Sequence, residues 1–138
     1  MPRPDSALIV DDEAHVRAFL RLLLREAGIL DCEEASNGAQ ALEMITHRKP
    51  GLLMLDVNLP LVSGLAVLAQ VRKSDPDIPV IMVSSESTMK TVQESVRLGA
   101  IGYLLKQQPK EKVLRSLFEL LDSLDAEEPE PDSEDAVE

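Results

Sequence analysis

Three carboxylates, a hydroxyl and an ammonium each stand where a short apolar run ends. Asp11 and Asp12 follow residues 7–10, Asp56 follows 52–55, Ser84 follows 79–83, and Lys106 follows 101–105. If those runs are strands of one sheet, the five side chains meet at its edge. Three carboxylates brought together repel one another unless a cation holds them. With oxygen ligands alone and no His or Cys cluster, that cation is Mg²⁺ rather than zinc. Mg²⁺ keeps several waters and usually meets a phosphate as well. A hydroxyl and an ammonium, Ser84 and Lys106, are the groups that catch phosphoryl oxygens. Taken singly, each signal is weak. Asp11 and Asp12 would serve equally as a helix cap and a first-turn acid against the dipole, and serine after a strand is common. The ordered set carries the chemistry.

The elements needed to position these residues are legible in order. Residues 7–10 form a short buried strand, and from Glu13 to Ala27 the apolar residues Val16, Phe19, Leu20, Leu23 and Ala27 fall at helical spacing until Gly28. Arg17, Arg21, Arg25 and Glu26 lie largely on the other side of that helix. Residues 31–35 predict a polar edge strand, Asn37-Gly38 a turn, and 39–47 a helix with Ala41, Leu42 and Ile45 inward. The four apolar residues Leu52 to Leu55 read as a strand buried on both faces. Leu65, Leu68 and Val71 continue as a helix to about Ser74, and Pro79 to Val83 form a fourth strand. The segment 87–98 is the poorest helix, with Met89, Val92 and Val96 as its apolar face, and so a candidate for mobility. Gly99 ends it, residues 101–105 form a fifth strand, and Pro109 opens a last helix striped by Leu114, Leu117, Leu121 and Leu124. Strands alternating with helices at βαβ spacing give an α/β, doubly wound parallel sheet. In such sheets, ligands bind outside the carboxyl ends of the strands.

Composition narrows the function classes. At 138 residues there is room for one domain, with a core of Leu, Val, Ile, Met and Ala because aromatic residues make up only 2%. The net charge is -11, but nine of the 25 acidic residues fall in 122–138, leaving 16 acids against 14 Lys and Arg before them. A nearly neutral folded part has no electrostatic footprint for nucleic acid. No run is long enough for a membrane span and no signal peptide is evident, so a cytoplasmic protein is expected. The single Cys32 forms no internal disulfide and reads as a packing residue. His15 and His47 read as solvent-facing helix residues. The division expected is 1–125 as the domain and 126–138 as an acidic disordered tail.

The ordered set resembles the receiver domain of two-component response regulators, over roughly residues 6–124. Its marks are the acid pair after strand one, Asp56 with Pro60 and Gly64 behind it, Ser84 after strand four and Lys106 after strand five. The resemblance implies a (βα)5 flavodoxin-like sandwich with strand order 2-1-3-4-5. It implies Asp56 as phosphoacceptor, Mg²⁺ held by Asp11, Asp12, Asp56 and the carbonyl of Asn58, and Lys106 and Ser84 as phosphoryl-binding groups. It further implies Ser84 and Tyr103 as switch residues, and Asn58 and Glu86 as residues tuning the lifetime of a short-lived phosphoryl group. Expected partners are a histidine kinase or phosphotransfer protein and an unknown downstream protein, with no direct nucleic acid and no membrane. A monomer or weak dimer is expected, acting as a stand-alone receiver and not as an enzyme.

One departure concerns Lys106, which the family commonly follows with a cis proline. Here Gln107 follows and the proline is delayed to Pro109. A cis bond before Gln107 would cost about 3–4 kcal/mol, against about 0.5–1 before proline. Either a trans bond with a reshaped loop or a strained cis bond is therefore expected. Alternatives are the receiver part of a longer regulator, a pseudo-receiver and an aspartate-nucleophile phosphatase. The phosphatase would need a second acid where Asn58 stands, and intact Asp56 and Lys106 oppose the pseudo-receiver. A dinucleotide-binding domain would need a Gly-rich loop after strand one.

Overall fold

The computed structural model describes residues 3–86 and 88–126. Five strands alternate with five helices: β1 (Ser6–Val10), α1 (Ala14–Glu26), β2 (Asp31–Ala35), α2 (Gly38–His47), β3 (Leu53–Asp56), α3 (Gly64–Ser74), β4 (Val80–Ser84), α4 (Met89–Arg97), β5 (Gly102–Leu105) and α5 (Lys110–Ala126). All strand pairs are parallel, in the order β2-β1-β3-β4-β5. The chain therefore winds one way from β1 to β2 and back the other way from β1 through β5, covering both faces of the sheet. This is the expected doubly wound fold. The stretch 126–138, expected as an acidic tail, lies outside the described residues from 127 onward, and α5 runs through Ala126.

Side-chain alternation along the strands divides the core in two. Ile9, Met54, Ile81 and Leu104 face Leu20, Leu23 and Leu24 of α1 and Val113, Leu117 and Leu121 of α5. Their neighbours Leu8, Val10, Leu53, Leu55, Val80 and Met82 face α2 and α3, including Ala41, Ile45, Leu68 and Val71. A strand of period two between helices on both faces must be apolar at every position. That explains the unbroken apolar runs of β3 and β4, which are buried throughout. The polar strand β2 pairs only with β1, as its composition implied.

Local chemistry sets the helix ends. Asn37, Ser63 and Thr88 cap α2, α3 and α4 by accepting N–H bonds from Gln40, Ala66 and Thr91. Gly28 leaves α1 at φ +89°, a conformation that costs glycine least. The apolar face expected for α4 needs correction. Met89 and Val96 point outward, 73% and 64% exposed, and Ser95 is the buried residue. Ser95 satisfies its hydroxyl by donating to the Thr91 carbonyl at 2.9 Å. The buried residue of α4 is thus small and polar, Val92 is half-buried, and Leu98 just past the helix packs against the core.

Candidate functional site

Strand register builds the site. Val10 pairs with Leu55, Leu55 with Met82, and Met82 with Tyr103. The next residues along, Asp11 and Asp56, thus leave adjacent central strands side by side. Ser84 pairs with Leu105, and the Lys106 N–H donates to the Ser84 carbonyl at 2.8 Å. The four chemical groups are carried to one edge by backbone hydrogen bonds before any side-chain contact is made.

The side chains then converge. Asp11 and Asp56 are buried, 0% and 2% exposed, while Asp12 is exposed. One carboxylate oxygen from each of the three lies within 4.8 Å of the others. The Lys106 ammonium sits 2.8 Å from Asp11 Oδ2, 3.3 Å from Asp56 Oδ2 and 3.7 Å from Glu13 Oε1. Asp11 Oδ1 accepts the Glu13 N–H at 2.9 Å, and Asp56 Oδ1 accepts the Asn58 N–H at 3.2 Å. Asp11 Oδ2 is buried, and the charge beside it is the Lys106 ammonium at 2.8 Å. A buried carboxylate oxygen needs positive charge beside it, and here one ammonium is shared between two such groups. Three carboxylates against one ammonium, all oxygen donors, suit a hard divalent ion.

Electrostatics follow from this crowding. Burial, then the neighbouring Asp11 charge, push the Asp56 carboxyl up to about 6 from its usual 3.8, although Lys106 pulls the other way. Burial alone would lower the Lys106 pKa. Its contacts with Asp11 and Asp56 outweigh that, and it is raised.

Gly64 makes the geometry possible. A Cβ there would lie 2.0 Å from the Asp56 carbonyl oxygen, so only glycine lets α3 start against the end of β3. The Gly64 N–H donates to the Val57 carbonyl at 2.9 Å and closes the loop. The backbone from Lys106 to Gln107 is trans, with no cis peptide among the described residues. Lys106 reaches the acids from this trans loop.

The remaining residues singled out in the sequence surround this centre. Ser84 is buried, its Oγ accepting the Glu86 N–H at 3.2 Å. Tyr103 is half-buried, and its hydroxyl donates to the Glu86 carbonyl at 3.0 Å. The side chains of Glu86 and Asn58 are exposed at the rim, as are His15 and His47 in their helices. Beside Lys106 a cleft of about 530 Å³ opens between α1 and the loop before α5, bordered by His15, Phe19, Gln107 and Gln108. Sequence reading missed Arg17 and Glu34. Arg17 donates from Nη1 to the Asp11 carbonyl at 2.7 Å and from Nε to Glu34 at 2.9 Å. Charged residues at helical spacing resemble any solvated face, so no signal in the sequence distinguished this pair.

A family model described as the response regulator receiver domain matches residues 7–118. The chain belongs to that family. This receiver domain is 38% identical over 98 residues to the luminescence regulatory protein LuxO of Vibrio campbellii, covering 71% of this chain and 21% of LuxO. It is 30% identical over 110 residues to the chemotaxis protein CheY of Thermotoga maritima, covering 80% of this chain and 92% of that protein. A CheY-like response regulator receiver domain protein from Methanospirillum hungatei superimposes with TM-score 0.78 at 26% identity, covering 90% of this chain and 98% of that one. The chain thus spans about a fifth of the LuxO regulator and nearly all of the chemotaxis protein. It is a receiver domain of a two-component system. Among the described residues, no helix is long and apolar enough to cross a membrane.

Proposed function

We propose that the domain takes a phosphoryl group onto Asp56 from a phosphohistidine on a histidine kinase or phosphotransfer protein. A carboxylate oxygen of Asp56 attacks phosphorus as the imidazole nitrogen leaves. An O–P bond forms, the N–P bond breaks, and the imidazole takes up a proton. The observation that carries this reading is the Lys106 ammonium lying between two buried carboxylates beside a third, exposed one. Lys106 neutralises charge on the phosphoryl oxygens, and Ser84 donates a hydrogen bond to one of them. Asp11, Asp12 and Asp56, with the carbonyl of Asn58, would hold Mg²⁺, which supplies further positive charge for those oxygens. The cleft beside Lys106 gives a protein-bound imidazole room to approach.

The output is a change of partner-binding surface, and the domain turns over no substrate beyond its own phosphoryl group. Ser84 and Tyr103 act as the switch. Support for their coupling is that both are tied to the main chain of Glu86, Ser84 to its N–H and Tyr103 to its carbonyl. A serine drawn toward a phosphoryl oxygen releases the first bond and loosens the second, shifting the population of two packings around α4 and β5. The outward Met89 and Val96 of α4 are apolar groups that a downstream protein can cover. Asn58 and Glu86 set a short phosphoryl lifetime by orienting a hydrolytic water.

Mass spectrometry after exposure to acetyl phosphate with Mg²⁺ tests the assignment. Wild type gains one phosphoryl group and Asp56→Ala gains none, whereas an unmodified wild type overturns the reading. On the same time course, a phosphorylated form that persists for hours overturns the lifetime assignment alone.

A further inference from the structure

The acid pair that would hold the cation is reached from the main chain of Asp11, and β2 governs that main chain from both sides. The Asp11 N–H donates to the carbonyl of Ala35 at 3.1 Å. The Asp11 carbonyl accepts Arg17 Nη1 at 2.7 Å, and Arg17 is in turn held by Glu34, the residue before Ala35. Glu34 is itself fixed, since its second oxygen accepts Arg21 Nε at 2.8 Å. Burial is the largest single influence on the Glu34 carboxyl and pushes its pKa up, but the hydrogen bonds and charges of Arg21 and Arg17 together outweigh it and hold the carboxyl below the usual range.

The carbonyl that Arg17 grips belongs to the peptide joining Asp11 to Asp12. Its orientation decides where the Asp12 side chain starts. No hydrogen bond or ion pair to another described residue steers the exposed Asp12 carboxylate, so the backbone alone aims it. We infer that Arg17, locked by Glu34, is a positioning residue for the cation site, holding the Asp11–Asp12 peptide so that both carboxylates face Asp56. This rests on the reading of that site as a Mg²⁺ centre. The Arg17–Glu34 and Arg21–Glu34 pairs are part-buried, so Glu34 holds the Arg17 guanidinium in a fixed direction and the arrangement acts through orientation.

Charge and geometry give opposite signs here, which makes the inference testable. A cationic Arg17 near the site repels Mg²⁺, so a purely electrostatic role predicts tighter binding when its charge is removed. Positioning predicts weaker binding. Mg²⁺ titration by calorimetry on the full chain, without phosphodonor, compares wild type, Arg17→Met, Arg17→Lys and Glu34→Gln. The expected loss of affinity is about tenfold for Arg17→Met, the scale seen when groups orienting metal ligands are removed. Arg17→Lys keeps the charge but lacks the two-pronged grip, and it also weakens binding. Glu34→Gln weakens it less, and adding it to Arg17→Met causes no further loss. Should Arg17→Met not fold, Arg17→Lys and Glu34→Gln carry the same comparison. Unchanged or tighter Mg²⁺ binding in the folded variants overturns the positioning role while leaving the metal site intact. Absence of Mg²⁺ binding by wild type overturns both.

Discussion

Asp56 stands where two requirements conflict. Its backbone ends a buried strand, yet its carboxyl must ionise beside buried Asp11 to act as a nucleophile or ligand. The raised pKa of about 6 expresses that conflict. A carboxyl with a raised folded pKa holds its proton more tightly in the native state. Its contribution to stability is therefore intact below the ordinary value near 3.8 and is lost as pH rises through about 6. Asp56→Asn removes the charge and keeps the shape. Without divalent cation at pH 8 it should be more stable than wild type by about 2–3 kcal/mol, and near pH 4 by only about 0.5 kcal/mol. Urea denaturation at the two pH values reads this, and a variant equally stabilised at both would show that the carboxylate charge is not the cause. At this scale, Asp11, Asp12, Asp56, Ser84 and Lys106 were legible because each polar residue interrupts an apolar run. Arg17 was not, since its role depends on Glu34, which is distant in sequence and brought near only by strand pairing.

Among the elements, the junction of β3 and α3 is the least forgiving. A Gly64→Ala methyl would meet backbone at 2.0 Å from the Asp56 carbonyl oxygen and 2.9 Å from Val57 Cα, and backbone in a paired strand cannot yield. Gly102→Ala is an instructive contrast. There the methyl meets the terminal carbons of Leu120 at 2.4 and 2.6 Å, which a change of rotamer can move. Gly64→Ala should cost about 2–4 kcal/mol and weaken Mg²⁺ binding by displacing Asp56, while Gly102→Ala costs clearly less. Denaturation midpoints with matched Mg²⁺ titrations decide it, and equal losses would count against a special role for the junction. The alternation of elements was readable because period-two and helical patterns differ over such lengths. The face of α4 was not readable. Met89, Val92 and Val96 fit helical spacing, but periodicity cannot tell an apolar stripe facing the sheet from one facing a partner. The strand order was implied by family resemblance, since local patterning holds no record of which strands become neighbours.

At the scale of the whole molecule, one sheet is shared by both core clusters, so an event at its edge is felt in global unfolding. Binding Mg²⁺ to the native state alone stabilises by mass action, about 2.7 kcal/mol at a concentration one hundred times Kd. For a domain of this size, that raises Tm by about 10 °C. In the proposed centre protons compete with the cation, because Asp56 would have to be ionised to serve as a ligand. At pH 5, below its raised pKa of about 6, only about a tenth of Asp56 is ionised without the cation. The apparent Mg²⁺ affinity then falls about tenfold, and the same concentration loses about 1.4 kcal/mol of its effect. Thermal melts with and without Mg²⁺ should show a clearly larger shift at pH 8 than at pH 5, and Asp56→Asn should remove most of the difference. Equal shifts at the two pH values would mean that the cation binds away from Asp56. A pH-dependent shift that Asp56→Asn abolishes would tie the cation, the proton and the reactive carboxyl to one centre, whose ionised state Mg²⁺ stabilises near neutral pH.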